Sequence, residues 1–305
     1  MRLLITGASG LLGINLAEEM RDKHDVIGVH RGKLMSAPFT TLKTDLLEPY
    51  AVNSILDKAR PDWLINCAAL ADLEACDSNP GLARGLNTDL PGRLAAACKR
   101  RGIKFIHIST DAVFDGQKTA FYTEDDIPNP LGTYAETKLA GEHEVLLANP
   151  QATVARVNIY GWSLSGRRSL AEFFFHNLTH SKSMSGFTDV IFCPMFVGHT
   201  AKLLVKMLES GLSGVYHLVG TQAMSKYQFG VEIARKFGLP ESEISPKSIL
   251  SSSLTARRSH NLSLSTHKLS TALGETLPDF STGLDEFYAQ FKQDYPQKIR
   301  CYQQL

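Results

Sequence analysis

Thr6-Gly7-Ala8-Ser9-Gly10-Leu11-Leu12-Gly13 follows directly on the short apolar run Arg2 to Thr6 and opens the helically spaced stretch Leu11 to Met20. Each glycine answers a steric demand. Gly7 permits a tight turn off a strand, Gly10 lets a pyrophosphate reach the backbone, and Gly13 lets a helix pack closely on that strand. Ser9, Leu11 and Leu12 complete a loop whose N–H groups, with the helix N-terminus behind them, face the phosphates. The spacing is GxxGxxG rather than GxGxxG, and its place at the first strand–helix junction is what gives it weight.

A dinucleotide site of this kind carries a second signal about 20 residues on, where an acid holds the ribose 2′-hydroxyl of NAD. Here the strand-like Asp25 to Val29 ends in His30-Arg31. A carboxylate would repel a 2′-phosphate, whereas Arg31 pairs with one. NADP(H) is therefore expected ahead of NAD(H), with His30 and Arg31 at the adenosine end.

The rest of the first 160 residues keeps the same rhythm. Strand-like Asp62 to Asn66, Ile103 to Ile108 and Thr153 to Val157 alternate with helix-like Pro80 to Arg101 and Thr133 to Leu147. Short buried strands separated by helix-length segments indicate an α/β fold, a doubly wound parallel Rossmann sheet with helices on both faces. Beyond Gly161 the rhythm loosens. Helices are expected at Lys202 to Ser210 and Lys226 to Phe237, a strand at Gly214 to Val219, and an ordered loop with a short strand within Ser242 to Ser270. The expected division is a dinucleotide domain of residues 1–160 with about 188–218, and a smaller substrate lobe of about 161–187 and 219–305.

Composition narrows the class. The chain has 305 residues, 43% hydrophobic and 21% charged, with a net charge of +1, which excludes a disordered chain. Near-neutrality also argues against nucleic acid or an anionic membrane as the main partner. No apolar run approaches the roughly 18 residues of a membrane span. Cys67, Cys76, Cys98, Cys193 and Cys301 form no CxxC pair and read as thiols of a reducing compartment, the cytoplasm. His176 and His180 stand one helical turn apart without an acidic or thiol neighbour, so no metal is expected. Phe173-Phe174-Phe175 reads as core or as the interface of a homodimer. Lys99-Arg100-Arg101 is the basic end of a helix.

The chemistry is expected at Tyr134-Ala135-Glu136-Thr137-Lys138, which puts a phenol and an amine on one helix face. An ammonium beside the phenol, with an oxidised nicotinamide near, would lower the phenol's pKa and let Tyr134 exchange a proton with a substrate oxygen. Ser109-Thr110-Asp111 follows a strand at its C-terminal end, where such sheets bind ligands, and places the Thr110 hydroxyl at the same oxygen.

On these residues the chain resembles the extended short-chain dehydrogenase/reductases, and within them the dTDP-4-dehydrorhamnose reductases. The likeness takes in Thr6 to Gly13, Asn66-Cys67-Ala68-Ala69, Asn87, Ser109 to Gly116, Tyr134 to Glu142, Arg156 to Gly161 and Arg258 to Leu264 with Lys268-Leu269. It implies catalysis by Thr110, Tyr134 and Lys138, with Lys138 also on the nicotinamide ribose. It implies further that Cys67, Ala68 and Ala69 lie along the cofactor, and that Asp45 and Leu46 sit near the adenine. The substrate implied is a nucleotide-activated sugar, with Asp111, Val113 and Phe114 as contacts. Arg257 and Arg258 are the expected diphosphate clamp, since guanidinium forks suit phosphate oxygens.

Departures fall on the substrate side. Ala112 stands where these reductases carry an aromatic, Leu73-Glu74 where they carry Val-Asp, Ser259 for a Pro, and Ser265 for an Asp. Two other readings stay open. Nucleotide-sugar dehydratases and epimerases resemble the chain too, but the dehydratases place Asp-Glu after the catalytic Thr, and here Ala112 follows Asp111. The regulatory β subunit of methionine adenosyltransferase is also similar, and would make the chain a cofactor-binding partner.

Overall fold

The computed structural model describes residues 1–32, 34–251 and 259–304. Strands β1 (Arg2–Thr6), β2 (Asp25–His30), β3 (Thr40–Lys43), β4 (Trp63–Asn66), β5 (Lys104–Thr110) and β6 (Thr153–Val157) join the edge strand Gly214–Leu218 in one parallel sheet. Its order is Gly214–Leu218, β6, β5, β4, β1, β2, β3. The order reverses between β1 and β4, and Thr6 pairs with Asn66 at that switch point. Ligands of open α/β sheets bind at the carboxyl ends of strands on either side of such a reversal.

The sheet is buried on both faces because its strands are apolar on both. Leu3 and Ile5 pack with Ile14 and Leu16 of helix α1 (Leu11–Met20), while Leu4 packs with Ile27, Leu64 and Leu94 on the other side. This is the alternation a strand imposes on successive side chains. Together these clusters anchor the loops that rise from the carboxyl edge.

Two expectations need adjusting. The helix read from Pro80 to Arg101 is broken into Pro80–Arg84, a π-turn Gly85–Asp89 and Leu90–Arg101. Pro91 has no N–H for a regular helical bond, and the wider turn pushes the Asn87 backbone toward Gly141. A Cβ on Gly141 would lie 2.0 Å from the Asn87 carbonyl oxygen, so only glycine allows that approach. The helix read from Lys202 begins already at Val197, because Gly198 and Thr200 blur its start in sequence.

Beyond β6 the chain builds small sheets over the carboxyl edge. Ile191–Phe192 pairs with Met224–Ser225 and with Asn261–Leu262, and Met184–Phe187 pairs with Ile244–Lys247. The helix Leu170–Thr179 starts with a capping box between Ser169 and Glu172, and Lys226–Phe237 with one between Ser225 and Gln228. Phe174 is buried in the core, whereas Phe173 is exposed. The last helix, Tyr295–Cys301, returns to α1, where Tyr295 Oη donates to Asn15 Oδ1 at 3.0 Å and Lys298 pairs with Glu18 at 2.6 Å.

Candidate active site

The glycine loop is shaped by what it excludes. Gly7 has φ +65°, and a Cβ there would lie 2.7 Å from the Ala68 nitrogen and from the Cys67 oxygen. A Cβ on Gly13 would stand 2.3 Å from the Gly7 oxygen. Gly10 is looser, meeting only the Gly7 oxygen at 3.1 Å, so its bare backbone serves what lies outside the loop rather than the fold. The first turn of α1 has no side-chain cap, which leaves its N–H groups to an anion. Ser9 and Leu11 are half-buried at the loop's rim, and the Leu12 side chain is core, so Leu12 can offer only its backbone. A dinucleotide pyrophosphate fits this cradle. Cys67, Ala68 and Ala69 form the opposing turn, where burial pushes the Cys67 thiol up to about 12 and keeps it neutral.

At the adenosine end the structure divides the expected residues. The His30 ring is buried, and its Nδ1 accepts from Gly32 N–H at 3.0 Å and from Leu34 N–H at 3.4 Å. Through that nitrogen it staples its own loop. Arg31 is exposed, 3.9 Å from Asp45 Oδ2. Asp45 Oδ1 caps its own turn at Leu47 N–H, and Leu46 is buried beneath. Lys43, which belongs to no sequence motif, runs beside Gly32 and adds a second cation next to Arg31.

The three residues expected to be catalytic come together. The helix Thr133–Ala148 is anchored by Thr88 Oγ1 donating to the Thr137 carbonyl at 2.8 Å and Asn87 Nδ2 to Thr137 Oγ1 at 3.2 Å. Tyr134 lies half-buried on its first turn and shares the cleft wall with Thr110, whose hydroxyl donates to Asp111 Oδ1 at 3.2 Å. One turn on, Lys138 is buried, its ammonium donating to the Ile108 carbonyl at 2.5 Å. Burial brings Lys138 down to about 8. The lowered phenol expected at Tyr134 is not what the chain's own groups produce. Burial, reinforced by the Asp111 carboxylate, pushes it up to about 12, against the Thr110 hydroxyl. The Lys138 ammonium is turned to the β5 backbone, on the Ile108 carbonyl.

In front of the trio opens a cleft of about 280 Å³, walled by Thr110, Asp111, Tyr134, Asn158 and Lys226 among others. Asp111 is buried and accepts from the Asn158 amide, and burial pushes its carboxyl up to about 6. Val113 and Phe114 do not belong to this wall. Both are fully buried with Cys193, Val219 and Leu264, and Phe114 stacks on Tyr122 at 4.2 Å. Their apolar side chains turn away from the cleft into the lobe junction, which corrects their expected role. Arg257 and Arg258 lie outside the described residues. Asn158 lies inside the Arg156 to Gly161 stretch of the likeness, which by itself gives it no role, and Lys226 sits in no motif. The His176 and His180 rings lie 4.3 Å apart, tilted by 48°, on an exposed helix end, and no group of three metal-ligating residues occurs among the described residues.

Beneath the site β5 is unusually polar. Ser109 donates to Glu142, whose carboxylate also takes Arg156 at 2.7 Å, both ions being buried. Arg156 reaches His217 Nε2 at 3.4 Å, and His217 Nδ1 meets the Ser265 carbonyl at 3.2 Å.

Comparison with known proteins agrees with this geometry. The model of the RmlD substrate binding domain family matches residues 1–293. A probable low-salt glycan biosynthesis reductase of Haloferax volcanii is 35% identical over 78% of this chain and 81% of its own length. The methionine adenosyltransferase 2 subunit beta of Mus musculus is 32% identical over 93% of this chain and 86% of its own. The crystal structure of a dTDP-4-dehydrorhamnose reductase from Clostridium acetobutylicum superposes with a TM-score of 0.86, at 27% identity, covering 96% of this chain and all of that one. The chain belongs to the RmlD family, and with it to the extended short-chain dehydrogenase/reductases, which are NAD(P)-dependent oxidoreductases.

Proposed function

We propose that this RmlD-family member is an NADPH-dependent reductase of a keto group on a nucleotide-activated sugar, of the dTDP-4-dehydrorhamnose reductase kind. The observation that carries the reading is the meeting of Thr110 and Tyr134 at the wall of the cleft, with Lys138 buried one helical turn behind. NADPH, when bound along the glycine cradle, supplies the hydride. The chain's own groups handle the oxygen. As charge builds on the keto oxygen, Tyr134 donates its proton there, and its raised pKa means that it holds that proton until the oxygen demands it. Thr110 donates its one hydroxyl hydrogen to the same oxygen, and Lys138 stands one helical turn behind the phenolate left by the transfer. In this reading Asp111 and Asn158, at the cleft wall, hold sugar hydroxyls, and Lys226 on the same wall supplies positive charge toward the substrate's phosphates.

Arg31 and Lys43 support NADPH over NADH, being cations at the expected 2′-phosphate position. Five unpaired cysteines support a reducing compartment, the cytoplasm, and no helix among the described residues is long and apolar enough to cross a membrane. Ala112 at the cleft wall stands where the dehydratases carry the Glu of their Asp-Glu pair. The second reading, a cofactor-binding partner subunit, is favoured by the likeness to methionine adenosyltransferase 2 subunit beta.

The test is NADPH oxidation with a panel of 4-keto nucleotide sugars, with product analysis for the new hydroxyl. The reductase reading expects turnover of at least one, a dTDP sugar first. Tight NADPH binding with no ketone reduced would replace it with the partner-subunit reading.

A further inference from the structure

β5 is an interior strand of a doubly covered sheet, a setting that calls for an unbroken apolar run, yet His107 stands in its middle with no exposed surface. Its ring meets a polar partner at each end. Nδ1 lies 3.0 Å from Asn66 Nδ2, and Nε2 lies 3.4 Å from Lys138 Nζ.

The Asn66 amide is not free to turn over. Its Oδ1 accepts the Thr6 hydroxyl at 2.6 Å and the Ala68 N–H at 3.3 Å, and a backbone N–H can only donate. The NH₂ therefore faces the imidazole and donates to it, so Nδ1 carries a lone pair. Burial and the neighbouring Lys138 hold the ring neutral. A neutral ring with a bare Nδ1 has its proton on Nε2, aimed at the amine.

We propose that His107 is a positioning residue for Lys138: its tautomer, fixed by Asn66 through the glycine-loop turn, presents an N–H that disfavours the ammonium and welcomes the neutral amine. The inference rests on the reading of Lys138 as the partner of Tyr134. It goes beyond that reading by linking the cradle's turn (Thr6, Asn66, Ala68) to the proton balance of the amine. The other groups facing Lys138 are Glu142 on its own helix, Cys67 on the opposing turn and the Ile108 carbonyl. Glu142 and the carbonyl favour the ammonium and Cys67 is neutral, so among the described residues His107 is the neighbour that supplies an N–H donor against it.

The experiment uses the full chain with ¹⁵N-labelled histidine and ¹³C-labelled lysine, without substrate. Long-range proton–nitrogen spectra report which ring nitrogen carries hydrogen. His107 is expected as a neutral ring protonated at Nε2. His217 serves as an internal contrast, because its Nδ1 faces a carbonyl and its Nε2 faces Arg156, which calls for the opposite tautomer. In Asn66→Asp the carboxylate accepts from Nδ1–H, so the proton moves to Nδ1 and Nε2 turns acceptor toward Lys138. The midpoint of the Lys138 titration should then rise by roughly one to three pH units.

The tautomer identifies His107 as the signal that Asn66→Asp displaces. A wild-type His107 protonated at Nδ1, or charged near neutrality, overturns the proposal even if the variant fails to fold. A Lys138 titration that rises while the His107 proton stays on Nε2 assigns the effect to the added charge alone and overturns it too. Neither result touches the reductase assignment, which the ketone panel decides separately.

Discussion

On the cofactor side of the cleft, Gly7, Gly10, Gly13 and the Cys67-Ala68-Ala69 turn shape the site through bare backbone, and a Cβ at Gly7 or Gly13 would collide with main chain. On the substrate side, Thr110, Asp111, Tyr134, Asn158 and Lys226 shape it through side chains delivered from segments far apart in sequence. The two sides should therefore fail differently. Added atoms break the first, and removed or neutralised groups alter the second.

The substrate side holds groups that the fold would be more stable without. Burial raises the Asp111 carboxyl from 3.8 to about 6. A tenfold change in proton affinity corresponds to about 1.4 kcal/mol, so ionised Asp111 costs the folded state about 3 kcal/mol. A raised carboxyl pKa means that the cost is complete above pH 6. It fades as pH falls toward the ordinary carboxyl value, below which folded and unfolded chains are both protonated. Asp111→Asn keeps an acceptor for Asn158 and should stabilise the protein by up to about that amount at neutral pH, with sugar binding weakened. Urea unfolding at neutral and acid pH checks it. Equal stability of variant and wild type at neutral pH would mean that the carboxylate is compensated.

Gly13→Ala probes the other side by addition. Its Cβ meets the Gly7 carbonyl, a backbone atom that cannot swing aside. The expected loss is roughly 1–3 kcal/mol of stability, with cofactor affinity falling in parallel. Unfolding midpoints and NADPH titration read both. An unchanged affinity would show that the loop tolerates atoms and that the contrast between the two sides is wrong.

The smallest effect is expected at Arg31, a side chain on the backbone-built side. It is exposed and already 3.9 Å from Asp45, so Arg31→Ala should weaken NADPH by about 1 kcal/mol and leave NADH unchanged. Paired dissociation constants decide it. Equal wild-type affinities for the two cofactors would remove the 2′-phosphate assignment.

The same contrast explains what could be read in advance. The glycine loop announces itself in sequence because a backbone-built site needs particular residues at fixed spacing, and Tyr134 and Lys138 do so because one helix carries both. Val113 and Phe114 misled because they adjoin Asp111 in sequence, while the turn Asp111–Val113 sends their apolar side chains into the core. Asn158 and Lys226 escaped because only the tertiary fold brings them to Asp111. Lys43 escaped because its strand, Thr40–Lys43, is short and only partly buried, with no clear apolar pattern. His107 left a legible signal, an imidazole inside a buried parallel strand, whose meaning depends on partners 41 and 31 residues away.

The central claim is that Tyr134 is the acid of a working reductase, and single-turnover oxidation of bound NADPH by the best ketone of the panel tests it most directly. Tyr134→Phe keeps the ring, so NADPH affinity should hold while the hydride step slows by roughly 100- to 10,000-fold. Wild-type hydride transfer in Tyr134→Phe would contradict the account.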